Sequence, residues 1–331
     1  MTTQQDDPTT ELDDFPTVTE KYQRELLAHC YRMSGSVHEA EDLVQETFLR
    51  AWKAAANFQG RSSVRTWLYR IATNACLTAL DSRNRRPLPT GLGAPASDPS
   101  DPLEEAEILW LEPVPDGLVG GDPNDPATVV TARSTVRLAL VAALQHLPPR
   151  QRATLVLREV MQVPAAEVAE MLGTTVAAVN SSLQRARAQL DAMDVHEDDV
   201  VEPDDPAQRA LLDHYVRALE AKDVRGIVAA FTADAVWEMP PFTSWYRGAE
   251  AIGTLVGEHC PAGPGDLLTL PTRANGGQPA CAVYLRGPDA WEPFQLQVLT
   301  VTDGRISHVA AFFDTTLFGT FGLPARLPLV A

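Results

Sequence analysis

Apolar residues recur at helical spacing near the start of the chain. Val44, Phe48, Trp52 and Ala55 are spaced four, four and three, one stripe of an amphipathic helix. Val64, Leu68, Ile71 and Ala75 repeat the pattern, with Gly60 and Ser62-Ser63 as punctuation between the two and Arg83-Asn84-Arg85-Arg86-Pro87 closing the block. Val136, Leu140, Leu144 and Leu147 form a further stripe that stops at Pro148-Pro149. A short helix is predicted from Arg150 to Val160 and another from Pro164 to Gly173. Thr174-Thr175 then offers an N-cap, and Val176, Val179, Leu183, Ala186 and Leu190 are the predicted buried stripe of the last helix of this group. Gly173 suits the turn between the last two helices, which therefore read as a helix-turn-helix.

After residue 208 the period changes. Leu211, Leu212, Tyr215 and Leu219 predict one helix and Val224–Phe231 a second, followed by strand-like runs at Cys281–Arg286, Phe294–Val301 and Arg305–Phe313. Asp303-Gly304 is a hairpin turn signal. Phe294, Leu296 and Val298 alternate with Gln295 and Gln297, which predicts a strand with one wet face. The expected fold class is two all-α domains followed by an α+β domain.

Length and charge refine this picture. A chain of 331 residues has room for two or three domains. The net charge of −17 argues against nucleic-acid binding until it is resolved along the chain. Residues 15–86 carry +4 and residues 131–193 carry +3, whereas residues 1–14, 87–130 and 194–207 carry −5, −9 and −7 and contain no Lys or Arg. Local charge, not the total, sets affinity for phosphate. The expected organisation is an acidic N-terminus at 1–14, helical domains at 15–86 and 131–193, acidic linkers at 87–130 and 194–207, and the mixed domain at 208–331. The first linker is too rich in Pro, Gly and acid to form a core, so it is expected to be disordered. Its apolar patch, Ile108 to Pro113, is expected to dock onto something. Cys30, Cys76, Cys260 and Cys281 are far apart with no Cys-x-x-Cys pair, which fits a reducing cytoplasm and neither a zinc site nor a disulfide framework. No apolar run approaches a membrane span, and the polar N-terminus does not read as a secretory signal.

The helix faces carry the candidate chemistry. Asp42, Gln45, Glu46 and Leu49 share the exposed face of the first helix. The next helix opens with Arg61 and Arg65 and continues through Trp67, Tyr69, Arg70 and Asn74. Cations interleaved with rings and amides suit single-stranded nucleic acid, because cations hold the backbone and rings stack on bases. The same spacing fits plain packing, with Trp52 and Trp67 as core and the arginines as a solvated face. In the last helix of the helix-turn-helix, small and amide residues come first and arginines later, the pattern of a helix read into a major groove. A plain helical hairpin has the same apolar stripe.

Together these residues resemble a known family. The run Glu41 to Phe48, and the run Phe58-Gln59-Gly60-Arg61-Ser62-Ser63 through Trp67-Leu68-Tyr69-Arg70 to Asn74, resemble region two of the sigma-70 family of RNA polymerase sigma factors. Leu147-Pro148-Pro149-Arg150-Gln151-Arg152, with the helix-turn-helix ending in Leu183-Gln184-Arg185-Ala186-Arg187, resembles region four. The short connection leaves no room for a region-three domain, which is the extracytoplasmic-function (ECF) arrangement. The resemblance implies a non-enzymatic promoter-recognition subunit without a cofactor. Its implied partners are the polymerase core, through the β′ clamp helices and the β flap, and promoter DNA. Asp42, Gln45, Glu46 and Leu49 would face the clamp helices. Phe58, Arg61, Ser62, Ser63, Arg65, Trp67, Tyr69 and Asn74 would meet the melted minus-ten element, where a captured flipped base offsets unstacking. Thr175, Ala177, Asn180, Ser181, Gln184, Arg185 and Arg187 would read the minus-thirty-five duplex. Asn180-Ser181-Ser182 departs from the family, many members of which carry a basic residue there. The acidic linker would thread the polymerase cleft as a mimic of nascent RNA, and Trp110-Leu111-Glu112-Pro113 resembles a linker motif of sigma factors with an extra C-terminal domain.

Residues 208–331 resemble the SnoaL-like, nuclear-transport-factor-2-like cone. Some members of that fold use an Asp or His in an apolar pocket as a base. The candidates here are Asp234, Glu238, His259, His308 and Asp314, with Trp237, Trp245 and Phe312 as walls. No spacing fixes a catalytic pair, so regulation in cis is expected. The cone would contact the sigma domains, with Leu109, Trp110 and Leu111 of the linker and the tail Phe318 to Pro324 as the contact surfaces. A small-molecule ligand of the cone, a bifunctional enzyme, and a repressor that works without polymerase are the other readings.

Overall fold

The computed structural model describes residues 12, 14–81, 85–119, 134–193 and 205–329. The expectations for the acidic N-terminus, for residues 120–130 of the linker and for nearly all of the tether 194–207 lie outside these residues. The chain divides into two compact units, Met1–Arg86 with Gly117–Val195, and Pro87–Asp116 with His196–Ala331.

In the first unit three helices form a bundle. Helix α1 (Phe15–Ser34) starts on Asp14, whose carboxylate accepts from Thr17, and ends at Gly35 in the left-handed region. Helix α2 (Val37–Ala54) is capped by Ser36, which accepts from the Glu39 N–H, and α3 (Val64–Leu80) by Ser63, which accepts from Thr66. Leu26, Cys30 and Met33 of α1, Ala40 and Val44 of α2, and Leu68, Ala72 and Cys76 of α3 are buried. Four more helices follow: α4 (Leu138–Gln145), α5 (Pro149–Leu155, continued as a π-turn over Val156–Val160), α6 (Ala165–Met171) and α7 (Val176–Asp191). Gly173, at φ 60°, makes the tight turn between α6 and α7.

Buried polar groups join the two sets of helices. The Arg152 guanidinium of α5 donates to the carbonyl of Met33 in α1 and to Gln145 Oε1. Arg32 of α1 donates to Thr135 through both its carbonyl (3.2 Å) and its hydroxyl (2.6 Å). Both arginines are buried, and burial lowers the pKa of each to about 10. His29 is also buried, hydrogen-bonded to the Thr73 hydroxyl at 3.0 Å, and its pKa is lowered to about 3 by burial first and by Arg32 second. A histidine neutral in the folded chain and protonated in the unfolded chain favours unfolding as pH falls below about 6.5. Stability should therefore fall by about 1.4 kcal/mol per pH unit from pH 6.5 towards pH 3 on this account. Chemical denaturation of wild-type and His29→Gln protein across that range checks it. The substitution should flatten the slope, and an unchanged slope would refute the assignment.

The second unit is a curved sheet in the order β2-β1-β6-β5-β4-β3, with β7 (Leu327–Pro328) added to β5. Its strands are β1 (Phe231–Glu238), β2 (Trp245–Arg247), β3 (Leu267–Ala274), β4 (Gln278–Arg286), β5 (Ala290–Thr302) and β6 (Arg305–Phe312). Strands β1 and β6 run parallel and the other neighbours antiparallel. Asp303 (φ 50°) and Gly304 (φ 71°) turn β5 into β6. Helices α8 (Pro206–Glu220), α9 (Val224–Ala230) and α10 (Ala249–Glu258) cover the concave face, where Tyr215, Leu219, Ile227 and Ile252 pack on Trp237, Val283, Leu299 and Val309.

Two expectations are corrected here. Strand β5 has no wet face: Gln295 and Gln297 are buried, and Tyr215 of α8 donates to Gln297 at 2.8 Å. Their face is the one beneath the helices, and the polar alternation marks a polar cone interior instead of solvent. Residues 87–116 are not free either. The segment has no core of its own and uses the cone's, with Leu103 and Ala96 packed on the cone cluster. Its backbone bonds to the cone along its length, Ala96 to Trp245, Ala106 to Pro241, Thr243 to Glu104 and Asn275 to Val114. Local composition predicts disorder for an isolated segment, and it cannot register a neighbour far along the chain.

Candidate functional site

The outer face of α2 carries Leu49, as expected, and Trp52, which the stripe had placed in the core. An α-helix turns about 100° per residue, so Trp52 lies about 80° from Val44 and only about 60° from Leu49. Trp52 is 64% exposed and Leu49 53%. Asp42 and Gln45 are exposed on the same side, and Glu46 is half-buried beside Arg50, its partner at 2.7 Å. Two large apolar side chains thus stand in solvent beside acids and amides. The sequence signal for Trp52 was the four-residue drift of its own stripe.

The loop before α3 and the outer face of α3 sort the predicted single-strand contacts. Arg61, Ser63, Arg65 and Asn74 are exposed and Ser62 is half-buried. Ser63 uses its hydroxyl as the α3 cap, and Arg65 is paired with Glu25 at 2.9 Å above the Tyr69 ring. Asn74 donates to the Arg70 carbonyl. Trp67 and Tyr69 do not face outward and are corrected: both are buried, Trp67 against Phe58 (ring centroids 5.0 Å apart) and Tyr69 against His29 (5.2 Å). Phe58 is thereby half-buried as well. The two lie about 200° apart around α3, so they turn inward against different neighbours, Trp67 against the loop after α2 and Tyr69 against α1.

On α7 the buried residues are Val179, Leu183 and Ala186, while Val176, expected in that stripe, is exposed. Thr175, Ala177, Asn180, Ser181, Gln184, Arg185 and Arg187 are all exposed. Thr175 caps the helix through Ala178, Arg185 bonds to Ser181 at 2.7 Å, and Arg187 is paired with Glu159 at 2.5 Å. Glu159 therefore offsets part of the charge that Arg187 would bring to a phosphate.

The proposed contact patch in the linker divides. Leu111 is fully buried, Leu109 is 50% exposed, and Trp110 is half-buried between them. Phe318 of the tail is spent within its own unit, packed on Tyr284 at 5.1 Å. The firmest hold on the linker is the turn between β3 and β4. Val114 exchanges two hydrogen bonds with Asn275, donating to its side-chain Oδ1 and accepting from its backbone N–H, and Asp116 accepts from the N–H groups of Gly276 (2.8 Å) and Gly277 (3.0 Å).

The cone's titratable candidates do not gather in a pocket. Asp234 and Asp314 are exposed, and His259 is bonded to the Pro99 carbonyl. Glu238 and His308 do pair, at 2.7 Å, but the second Glu238 oxygen accepts from the linker's Thr90 N–H. Sequence neighbours Trp237 and Val309 face the helices, so this pair lies on the other side of the sheet. Of the proposed walls only Trp237 lines the interior. There, Trp237 Nε1, Gln297 Nε2 and Gln295 Oε1 are buried with no hydrogen-bond partner among the described residues. Such a group costs about 1–3 kcal/mol if nothing polar meets it.

Comparison with known proteins follows the same divisions. The Sigma-70 region 2 family matches residues 18–86, the Sigma-70 region 4 family residues 137–190, and the SnoaL-like domain family residues 212–309. The chain is 59% identical over 317 residues to the ECF RNA polymerase sigma factor SigG of Mycobacterium tuberculosis, covering 95% of this chain and 85% of that protein. It is 30% identical over 303 residues to the ECF sigma factor SigJ of the same organism, covering 87% and 88%. The crystal structure of SigJ matches the fold at a TM-score of 0.59 with 24% identity, over 94% of this chain and 99% of that one. Among the described residues no helix is long and apolar enough to cross a membrane.

Proposed function

Since this chain belongs to the ECF sigma factors of RNA polymerase, we propose that it represents a resting form, which binds core polymerase through the exposed face of α2 and is restrained in cis by the cone. The observation that carries this reading is the pair Leu49 and Trp52, held in solvent beside Asp42 and Gln45. Core bound there would place Arg61, Arg65 and Asn74 at the melted minus-ten strand and α7 at the minus-thirty-five duplex. The protein would act where core polymerase is, in the cytoplasm.

Regions two and four must part for this. The elements lie about 25 base pairs apart, roughly 85 Å of duplex. The unit that holds both regions is a compact body, and bodies of its size are roughly 40 Å across. The Arg32 and Arg152 contacts would break on opening. The linker would leave the cone to enter the polymerase cleft, so the cone and the polymerase compete for residues 87–116. The Glu238–His308 pair serves this reading as an anchor for Thr90, not as an acid–base pair.

Transcription with purified core and a promoter library tests the reading. A product that depends on both core and this chain is expected. Tight sequence-specific DNA binding by the free chain, without transcription, would favour a repressor. Arg185→Ala should weaken minus-thirty-five engagement in the core complex and reduce its salt slope by about one charge. Asp116→Ala combined with Asn275→Ala removes the grip of the β3–β4 turn on the linker. Limited proteolysis should then cut residues 87–116 several-fold faster, and unchanged cutting would show that the turn does not hold it.

A further inference from the structure

We propose that Glu25 of α1 is a positioning residue for the melted minus-ten strand: it holds the Arg65 guanidinium against the Tyr69 ring, so that Nη1 and Nη2 clamp a phosphate beside the captured base. This rests on the reading above in one respect, that Arg65 meets the melted strand.

Arg65 stands in the first turn of α3, just after the cap Ser63 and the loop Phe58–Ser63. Its Nε donates to both carboxylate oxygens of Glu25, at 2.9 and 3.2 Å. The guanidinium carbon lies 5.0 Å from the centroid of the Tyr69 ring, one turn along the same helix. That ring is itself fixed, since Tyr69 is buried and stands edge-on to His29. One edge of the guanidinium is therefore held by an acid and one face by an aromatic floor. Tyr69 does not face the strand, yet it sets the plane of the residue that does.

The opposite edge is open. Neither Nη1 nor Nη2 of Arg65 has a hydrogen-bond partner among the described residues. The Arg65 side chain keeps 44% of its surface in solvent, against 24% for Glu25. Arginine carries five N–H donors in a rigid plane. Here the Nε–H points inward, and the four on Nη1 and Nη2 form the fork that matches two phosphate oxygens. An unrestrained arginine loses rotamer freedom on making such a clamp. In this chain most of that freedom is already lost on folding. Extruding a base rotates the backbone on either side of it, so a phosphate gripped next to the loop keeps the strand from returning to the stack.

Glu25 does not compete with the phosphate. A carboxylate seated on Nη1 and Nη2 would have to be displaced and would act as a brake. This one takes Nε alone. A lysine at position 65 could not do the same work, because one nitrogen on a flexible stem cannot hold Glu25 and present a fork as well.

The test uses the complex of the full chain with core polymerase, and a single-stranded oligonucleotide carrying the minus-ten element of a promoter selected from the library. Binding is read at a salt concentration that screens one surface charge. Glu25→Ala should weaken it about fivefold, the effect of freeing one rotamer-rich side chain. Glu25→Gln keeps an acceptor for Nε and should restore most of that loss. Arg65→Lys should weaken binding at least as much as Glu25→Ala, and adding Glu25→Ala to it should have no further effect. The exchanged pair, Glu25→Arg with Arg65→Glu, rebuilds a link between α1 and α3 without the fork. It should keep the melting temperature of the wild type and lose strand binding at least as far as Arg65→Ala. Equal binding by wild type and Glu25→Ala would overturn the proposal, as would tighter binding by both Glu25 variants, the result of a brake. Recovery of strand binding by the exchanged pair would reduce Glu25 to a structural link and overturn it too. A wild-type chain that binds core but no minus-ten strand contradicts this proposal and leaves the α2 face assigned. A chain that binds no core contradicts the reading above and this proposal with it.

Discussion

Reversing the charge of the α2 face, Asp42→Arg with Glu46→Arg, should abolish binding to core polymerase, and Leu49→Ala with Trp52→Ala should do so as completely. All four side chains lie outside the bundle core, so the fold should survive. Glu46 loses only an exposed pair with Arg50, and such pairs contribute about 0–1 kcal/mol. The apolar pair carries more. A Trp buried at an interface is a common hot spot, and truncating one costs about 2 kcal/mol or more. The loss at Trp52 alone weakens binding by roughly thirtyfold or more, and the loss of Leu49 adds to it. Co-purification with the β′ subunit reads the result, and circular dichroism checks that the helices remain. Undiminished co-purification of either variant would remove the assignment of this face.

The second large effect concerns the junction between regions two and four. Arg32→Met should loosen it, because Thr135 then loses two donors while the apolar length of the side chain is retained. Hydrogen bonds from a charged group contribute about 1.5–3 kcal/mol each, less the cost of keeping a guanidinium buried. A net loss of about 1.4 kcal/mol raises the open fraction about tenfold. When only the open form binds, apparent affinity rises by the same factor. Core should therefore bind the variant about tenfold more tightly, while the free chain stays mostly closed. Unchanged affinity for core would show that Arg32 does not hold the regions together.

What the sequence disclosed follows from how local each feature is. Helices α2, α3 and α7 announced themselves by period, and α7 also by its cap, since Thr175 acts within its own first turn. The outward face of α7 was legible because Val179, Leu183 and Ala186 fix the opposite one. Trp67 and Tyr69 were misread because the rule for stacking rings ignores which bundle neighbour the helix meets. The glutamines of β5 misled for a related reason: alternation reveals that two faces differ, and only α8 reveals that the polar one is indoors. Strand β3 and the seat of the linker were invisible, because both depend on partners far away in the chain, such as Asn275 for Val114.

The claim that the free chain is closed and opens on polymerase is tested most directly by a distance. Spin labels at Gln23 and Ala188, both exposed and neither assigned to a contact, report on α1 of region two and α7 of region four. In the free chain the labels should lie within the roughly 40 Å of one compact body. In the complex with core and promoter they should move apart by at least about 20 Å, as the spacing of the two elements demands. An unchanged distance in a complex that transcribes would contradict the account.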